Sequence, residues 1–393
     1  MGALTQLGCP DTYSARITEY LGAGTTGKNL DTQSKTVGDL DGIVEVKWGR
    51  RLDDTSEATI TIQKSKASPS CCGLWRRFQP WWNDLVLYRD GEKVWRGPVY
   101  RMRERGSVMV LEARDLSAWM DRRGVYETTY EPIPDNPDMA RTLWTIIRTV
   151  NEPLTLTSPA VTYDFTRPNI AAIISYTAAG FLFADVPFTL SGLPTIRDAA
   201  DQLVEHGRVD WGQHIDTIVV RANATAQTPS SGRLAQHDFA TDLEVVVDGE
   251  PATTFAAAAG DIGTGLVYKF AAQPVGTPAL PHLVTGVTFD GTATESMVAD
   301  LATIAVNKRI PPVVYLIVPD GAQLAASAPV AINDLMVGSR FDVYPDNYCW
   351  KAAPNAYFGQ ATSGFRLSAV DVTWNAERGE EVQVTMIPLA LHD

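Results

Sequence analysis

Asp84-Leu-Val-Leu-Tyr-Arg-Asp-Gly-Glu-Lys-Val-Trp-Arg-Gly97 decides how this chain folds. Leu85 to Arg89 and Lys93 to Arg96 are strand-forming runs, and Asp90-Gly91 lies between them. A two-residue turn of this kind needs positive φ, which glycine tolerates, so the stretch reads as a β-hairpin. The segment Pro69 to Trp95 holds two of the four cysteines (Cys71, Cys72) and four of the ten tryptophans (Trp75, Trp81, Trp82, Trp95). Upstream, Val44, Val46 and Trp48 alternate, as do Ala58, Ile60 and Ile62. Downstream, Val99 to Arg103 and Val108 to Ala113 flank Arg105-Gly106. A period of two marks half-buried strands. With a further strand at Ser14 to Tyr20, five or six short strands within about 110 residues predict a small barrel or sandwich. Asp115 to Arg123 reads as a short closing helix.

Composition bounds the rest. A chain of 393 residues exceeds one ordinary core, so about two to four domains are expected. With 45% hydrophobic and 20% charged residues it is a folded globular chain. A formal net charge of −13 argues against a primary nucleic-acid binder, and favours solubility before assembly. No run of 18 apolar residues predicts a membrane span. The first residues lack the basic and apolar regions of a signal peptide, so a cytosolic site of synthesis is expected, where disulfides are unusual.

Farther along, the Pro-rich stretch Tyr126 to Asp138 marks a boundary. Asn136 and Pro137 open a helix with Met139, Leu143, Ile146, Ile147 and Val150 on one stripe. Thr195 and Asp198 form a capping box before Ile196, Ala199, Ala200, Leu203 and Val204. Residues 152–194 are apolar and irregular and give no assignment. Trp211 and Ile215 to Val220 read as strands, and Ala222 to Leu234 as a linker. Ala256-Ala-Ala-Ala-Gly260 reads as a helical turn. Thr292 to Glu295 opens a third helix, with Val298, Leu301, Ala302 and Ala305 aligned. Strands are expected at 242–248, 266–271, 313–318 and 341–344, then a closing hairpin of Phe365 to Trp374 and Glu381 to Ile387.

The fold class is β-rich α+β, with two small β-barrel domains and inserted α/β subdomains. The expected division is an N-terminal β-barrel over 1–125, an α/β domain over 126–233, an α+β insertion over 234–312, and strands completing the second barrel over 313–393.

The motifs carry little chemistry. Gly22-Ala-Gly-Thr-Thr-Gly27-Lys28 spells the start of a phosphate-binding loop, but Asn29 stands where Ser or Thr must ligate magnesium, and no amphipathic helix follows. Asp53 and Asp54 suggest paired carboxylates, yet no motif places a second acid, and a solvated loop is the better reading. His206, His214, His237, His282 and His392 are scattered, with His237-Asp238 read as a surface turn. No nucleophile has a recognisable base. No catalytic residue is assigned and no enzyme is expected.

Two clusters remain. Adjacent Cys71 and Cys72 cannot readily bridge to each other. If Cys9 and Cys349 meet them, four thiolates would hold an iron–sulfur cluster or zinc. Buried free thiols and a disulfide are the other readings. Trp75, Trp81 and Trp82, beside Arg76 and Arg77, would suit a glycan, whereas with Trp95 they equally suit core or a subunit interface.

Trp48-Gly-Arg-Arg-Leu-Asp-Asp-Thr-Ser-Glu-Ala-Thr-Ile-Thr-Ile62, Cys71-Cys72-Gly-Leu, and Trp81-Trp-Asn-Asp-Leu-Val-Leu-Tyr-Arg-Asp-Gly-Glu-Lys-Val-Trp-Arg-Gly-Pro-Val99 resemble minor tail proteins of long-tailed phages infecting actinobacteria. These are similar to baseplate hubs and to the N-terminal part of tail-associated lysins. Asn333-Asp-Leu-Met-Val-Gly-Ser-Arg-Phe-Asp-Val343, Leu367-Ser-Ala-Val-Asp-Val-Thr-Trp374 and Gly379-Glu-Glu-Val-Gln-Val-Thr-Met386 fit the same family. The resemblance covers most of 40–125 and 330–390.

It implies two barrels per chain and a homotrimeric ring whose six barrels mimic the sixfold tail tube. It also implies a virion location at the tail tip, after assembly in the host cytoplasm. Implied partners are the distal tail protein ring, the tape measure protein, other minor tail proteins and fibres, and the host cell envelope. Some hubs carry an iron–sulfur cluster, which bears on the four cysteines. The lytic part of a lysin is expected to be absent or on another protein. The alternative function is a minor tail protein that binds cell-wall glycan.

Overall fold

The computed structural model describes residues 7, 12–20, 34–67, 73, 75–125, 129–130, 139–150, 154–158, 161–165, 174–176, 188–189, 194–205, 209–224, 228–248, 255–272, 284–292, 294–307, 313–344 and 364–389. Strands β1 (Tyr13–Tyr20), β2 (Ser34–Leu40), β3 (Ile43–Arg51), β4 (Glu57–Gln63), β5 (Asn83–Arg89), β6 (Glu92–Arg105) and β7 (Val108–Arg114) come first, then a 3-10 helix, Leu116–Arg122. Next are β8 (Thr129–Tyr130), α1 (Met139–Val150), β9 (Leu154–Ser158), β10 (Val161–Phe165), β11 (Ile174–Tyr176), β12 (Phe188–Thr189), α2 (Ile196–Glu205), β13 (Val209–His214) and β14 (Thr217–Ala222). The chain continues with β15 (Gly232–Ala235), β16 (Glu244–Asp248), β17 (Phe255–Asp261), β18 (Leu266–Ala272), β19 (Val284–Thr292), α3 (Glu295–Asn307) and β20 (Val313–Ile317). It ends with β21 (Ala322–Gln323), β22 (Arg340–Tyr344), β23 (Gly364–Asn375) and β24 (Gly379–Pro388).

Two units result. The first comprises Met1–Asn223, Gln323–Ser339 and Leu367–Thr385; the second comprises Ala224–Ala322, Arg340–Arg366 and Met386–Asp393.

The first unit is built on a mostly antiparallel sheet ordered β23-β3-β4-β7-β6-β5-β1-β2. Its strands alternate as the sequence requires: Val46, Trp48, Ala58, Ile60 and Ile62 are buried. The hairpin turn forms at Asp90 (φ 50°) and Gly91 (φ 82°), two consecutive left-handed residues that match the twist of the strands. Strand β6 pairs with β5 through Pro98 and with β7 from Val99 onward. Gly97 sits at that switch. A Cβ there would lie 1.8 Å from the carbonyl oxygen of Arg114, so only glycine lets the two backbones pass. Among the described residues the strand order is open, with β2 at one end. The coarse reading, a β-rich fold with a few helices, stands.

The unit's α/β part has its own core. Strands β11-β14-β13 form a sheet, and Leu143, Ile146 and Ile147 of α1 and Ile196, Ala199, Ala200 and Leu203 of α2 pack with Trp211, Ile218 and Val220. The capping box holds: the Asp198 backbone N–H donates to Thr195 Oγ1 at 3.1 Å, and the Thr195 N–H donates to Asp198 Oδ2 at 2.7 Å. Asn136 and Pro137 lie outside the described residues. The irregular region 152–194 contributes a hairpin, β9 with β10, and the short strands β11 and β12.

In the second unit β15 runs parallel to β22, and β16 pairs with β20. The stretch read as a linker, Ala222 to Leu234, thus ends inside a strand. A larger correction concerns Ala256 to Gly260, which is not a helical turn. It lies in β17, the central strand of the sheet β18-β17-β19. Ala256 and Ala258 are fully buried, and Ala258 packs with Val298 and Ala302 of α3. Alanine prefers helices, but pairing on both edges outweighs a few tenths of a kcal/mol per residue.

Candidate functional site

The first unit concentrates its polar chemistry where the two ends of the sequence meet. Strand β3 pairs with β23 over Glu45–Arg51 and Ala369–Asn375. The strings that carried the family resemblance therefore lie side by side, and their charged residues connect them.

Arg50 is fully buried, and its acceptors among the described residues are neutral. Its Nη1 donates to the carbonyl oxygens of Ile332 and Leu335, both at 2.8 Å; its Nη2 donates to Val94 O at 3.1 Å and to Asn333 Oδ1 at 3.3 Å. The guanidinium stacks on Trp48 at 5.1 Å. Burial lowers its pKa to about 10, since charge is costly away from water. The planar fork lets one side chain satisfy four acceptors at once.

A second tie is ionic. Arg89 Nε and Nη2 donate to the two carboxylate oxygens of Glu380, each at 2.9 Å, with both side chains almost fully buried. Tyr13 donates its hydroxyl to Glu380 Oε1 at 2.7 Å, and Trp48 Nε1 donates to the Tyr13 oxygen at 3.2 Å. Burial, then the charge on Glu380, raise the Tyr13 pKa well above its usual value. Bidentate geometry with saturated oxygens is the condition under which a buried pair holds its charge. A third tie, Arg96 to Asp84 at 2.8 Å, is also buried; burial raises the Asp84 pKa and Arg96 opposes the rise.

Asp53 and Asp54 take separate partners. Asp53 (φ 55°) accepts the Trp211 N–H at 2.8 Å and gives its own N–H to the Trp211 carbonyl, fastening the loop to β13. Asp54 accepts the Thr55 N–H and an Arg197 N–H. Asp54, Thr55, Glu57, Arg114, Asp121 and Arg197 line an open hollow of about 370 Å³. Its cations are matched: Arg197 with Asp54 and Asp201, Arg114 with Glu57. Partial burial raises the Asp121 pKa against the pull of Arg197 and Arg114.

The tryptophans separate. Trp95 is core, 1% exposed, with its indole N–H 3.4 Å from Ser56 Oγ. Trp81 (φ 64°) meets the edge of Trp119 at 5.3 Å and lies under Arg122 at 5.0 Å. Trp82 donates to Glu19 at 3.2 Å, and Trp75 is half-buried. Cys9, Cys71, Cys72 and Cys349, and the Gly22–Asn29 segment, lie outside the described residues. Among the described residues, no group of three or more His, Cys, Asp or Glu is placed to hold a metal ion. No described helix is long and apolar enough to cross a membrane.

His237 is exposed beside Asp238, in a short 3-10 turn. His214 on β13 is different. Burial, then the charges of Arg50 and Arg221, lower its pKa to about 4. The roles of Arg50, Arg89 and His214 escape sequence reasoning. The available signal was parity: Arg50 follows Val46 and Trp48 on the inward face, and Arg89 follows Leu85 and Leu87.

With this geometry in hand, the fold is that of a tail protein. It matches the tail protein from Neisseria meningitidis MC58 with a TM-score of 0.51 at 10% identity, over 95% of this chain and 96% of that one. The 43 kDa tail protein of prophage MuSo2 from Shewanella oneidensis aligns at TM-score 0.49 and 9% identity, over 97% and 100% of the two chains. Prophage tail protein gp18 from Listeria monocytogenes EGD-e aligns at 0.45 and 9%, over 95% and 94%. At such identities the likeness is one of fold. No family model and no curated protein matches the sequence.

Proposed function

We propose that this chain is a structural hub of a phage tail tip. Three copies form a ring of six barrel-like modules, two per chain, that joins the sixfold tail tube and distal tail ring to a threefold tip. The ring closes the tube until infection. In this reading the protein resides in the virion and has no catalytic role. It contacts the distal tail ring, the tape measure protein and neighbouring minor tail proteins.

The observation that carries the proposal is the end-to-end likeness in fold to the Neisseria tail protein, over 95% of this chain. Its internal chemistry agrees. The best-formed polar groups, Arg50 and the Arg89–Glu380 pair, bind the chain to itself.

The test is particle mass in solution. A trimer at about 128 kDa, three times the 42.8 kDa chain, is expected at micromolar concentration. A monomer that also fails to bind the distal tail protein would overturn the reading. A visible absorption spectrum and metal analysis of the same anaerobic sample decide among an iron–sulfur cluster, zinc and metal-free thiols at Cys9, Cys71, Cys72 and Cys349.

A further inference from the structure

One surface in the second unit is unlike the rest. Strand β18 turns Leu266, Tyr268 and Phe270 outward, at 66, 60 and 64% exposure, and Val284 on β19 is 58% exposed. These are four of the six large hydrophobic residues that stand exposed among the described residues. The opposite face of the sheet is covered by α3, so the pattern is not a slipped register: Ala256, Ala258 and Val298 are buried there. This mixed sheet, antiparallel between β17 and β18 and parallel between β17 and β19, thus carries large apolar residues on the face turned away from α3, where a one-sided sheet ordinarily presents polar residues to water.

The outward face has relief. Register places Phe270 beside Ala257 and Ala257 beside Gly286; Tyr268 lies beside Ala259, and Ala259 beside Thr288. The β18 edge is thus a ridge of large side chains, and β17 with β19 forms a shallow trough. A Cβ built on Gly286 meets nothing within 4 Å. Phe255 stacks on Phe270 at 5.7 Å and closes one end of the trough.

We propose that this face docks on the same face of another copy of this chain, the ridge of one copy entering the trough of the next. The area suffices: these exposures amount to roughly 500 Å² of apolar surface, and two copies together reach the ~1,000 Å² of a specific interface. The charge also fits. Chains of net charge −13 repel one another, and on this face the charge sits at one end: Asp261, beside Leu266, is exposed, whereas Ala257, Ala259, Tyr268, Phe270 and Gly286 are uncharged, so contact centred on Phe270 adds no like-charge pair. Lys269 lies on the other face, paired with Glu295. Three copies fit as well. Three-stranded sheets about 14 Å wide, set around a threefold axis, stand about 4 Å from it, close to half the ~10 Å spacing of packed sheets.

This inference rests on the ring reading above. The test compares the full-length wild type with Phe270→Asp and with Gly286→Trp, by light scattering across a concentration series. Phe270→Asp places a charge on the ridge. Gly286→Trp fills the trough without adding charge, at a position where a Cβ meets nothing within 4 Å. Each is expected to weaken association on the order of 100-fold or more, with circular dichroism and the unfolding temperature of the monomer unchanged. A wild-type trimer that both variants leave intact overturns this inference and spares the ring. A wild type that stays monomeric at about 100 μM overturns this inference, and it overturns the ring reading as well only if it also fails to bind the distal tail protein.

Discussion

The sheet around β3 and the sheet around β17 solve the same problem in opposite ways. The first buries its large residues: Trp48, Ile60, Ile62, Leu85 and Trp95 are all inside. It also brings charges in with them and satisfies those charges from distant parts of the sequence. The second buries alanines and leaves its large residues out. Its core cluster is Ala258, Val298 and Ala302, while Tyr268 and Phe270 face water. A region that buries its own apolar surface is complete as a single chain. A region that exposes it gains by association, since burial is worth about 25 cal/mol per Å². The contrast separates what holds the chain together from what, in the reading proposed above, holds copies together.

Breaking the first region should produce the largest effects. Glu380→Ala removes the carboxylate that takes both Arg89 hydrogen bonds and the Tyr13 hydroxyl, in a dry site. Loss of one partner of such a pair costs about 3–5 kcal/mol, measured by urea unfolding. Replacing both partners, Arg89→Met with Glu380→Leu, is expected to recover most of that loss, which a single-site packing defect would not do. Arg50→Met should cost about 2–4 kcal/mol, because four acceptors lose their donor. Arg50→Lys recovers little, since a point charge cannot reach four acceptors in one plane.

Acid should act next, through His214. Its folded pKa, about 4, lies below the unfolded value of 6.5. The unfolded chain therefore binds this proton first, and stability falls as pH drops from about 6.5 to about 4, by about 3 kcal/mol in total. Asp84 and Asp115 act in the opposite sense, because burial raises their folded pKa and acidification favours the folded form. His214→Gln isolates the histidine's share. The slope of stability against pH between 6.5 and 4 should flatten in that variant, and an unchanged slope would remove His214 from the account.

The smallest effect sharpens the comparison. Tyr268→Ser in the second region should change the monomer's unfolding free energy by no more than about 0.5 kcal/mol, because an exposed side chain gives up little on truncation. A serine placed inside the first sheet, Ile60→Ser, should cost several times more, about 3 kcal/mol or above. Similar losses at both positions would mean that the second face is covered within the chain.

Much of this was legible along the sequence, and for local reasons. The hairpin at Asp90-Gly91, the alternation in β3 and β4, the stripe on α2 and its Thr195–Asp198 cap all depend on residues within a few positions of one another. Ala256 to Gly260 misled because helix propensity is local, whereas the strand is imposed by β18 and β19 on either side. Asp53 read as a loop acid, and its true contact, the Trp211 backbone, is 158 residues away. The tryptophan-rich stretch read as one cluster, yet Trp95 went to the core while Trp81 and Trp82 took separate partners. Trp81 and Trp82 lie in the turn before β5 and Trp95 on β6, so nearness in sequence does not make a surface.

By itself the sequence determined the kinds of elements, most of their positions, and a net charge of −13. Periodicity, turn chemistry and capping are properties of short windows, and they need no knowledge of the rest of the chain. Only the tertiary structure decided that β3 lies against β23, that Arg50 is held by Ile332, Asn333 and Leu335, that Arg89 meets Glu380, and that the large residues of β18 face outward. Those facts depend on which distant segments become neighbours. That choice is made by burial and by the pairing of charges removed from water, and neither can be read from one strand alone.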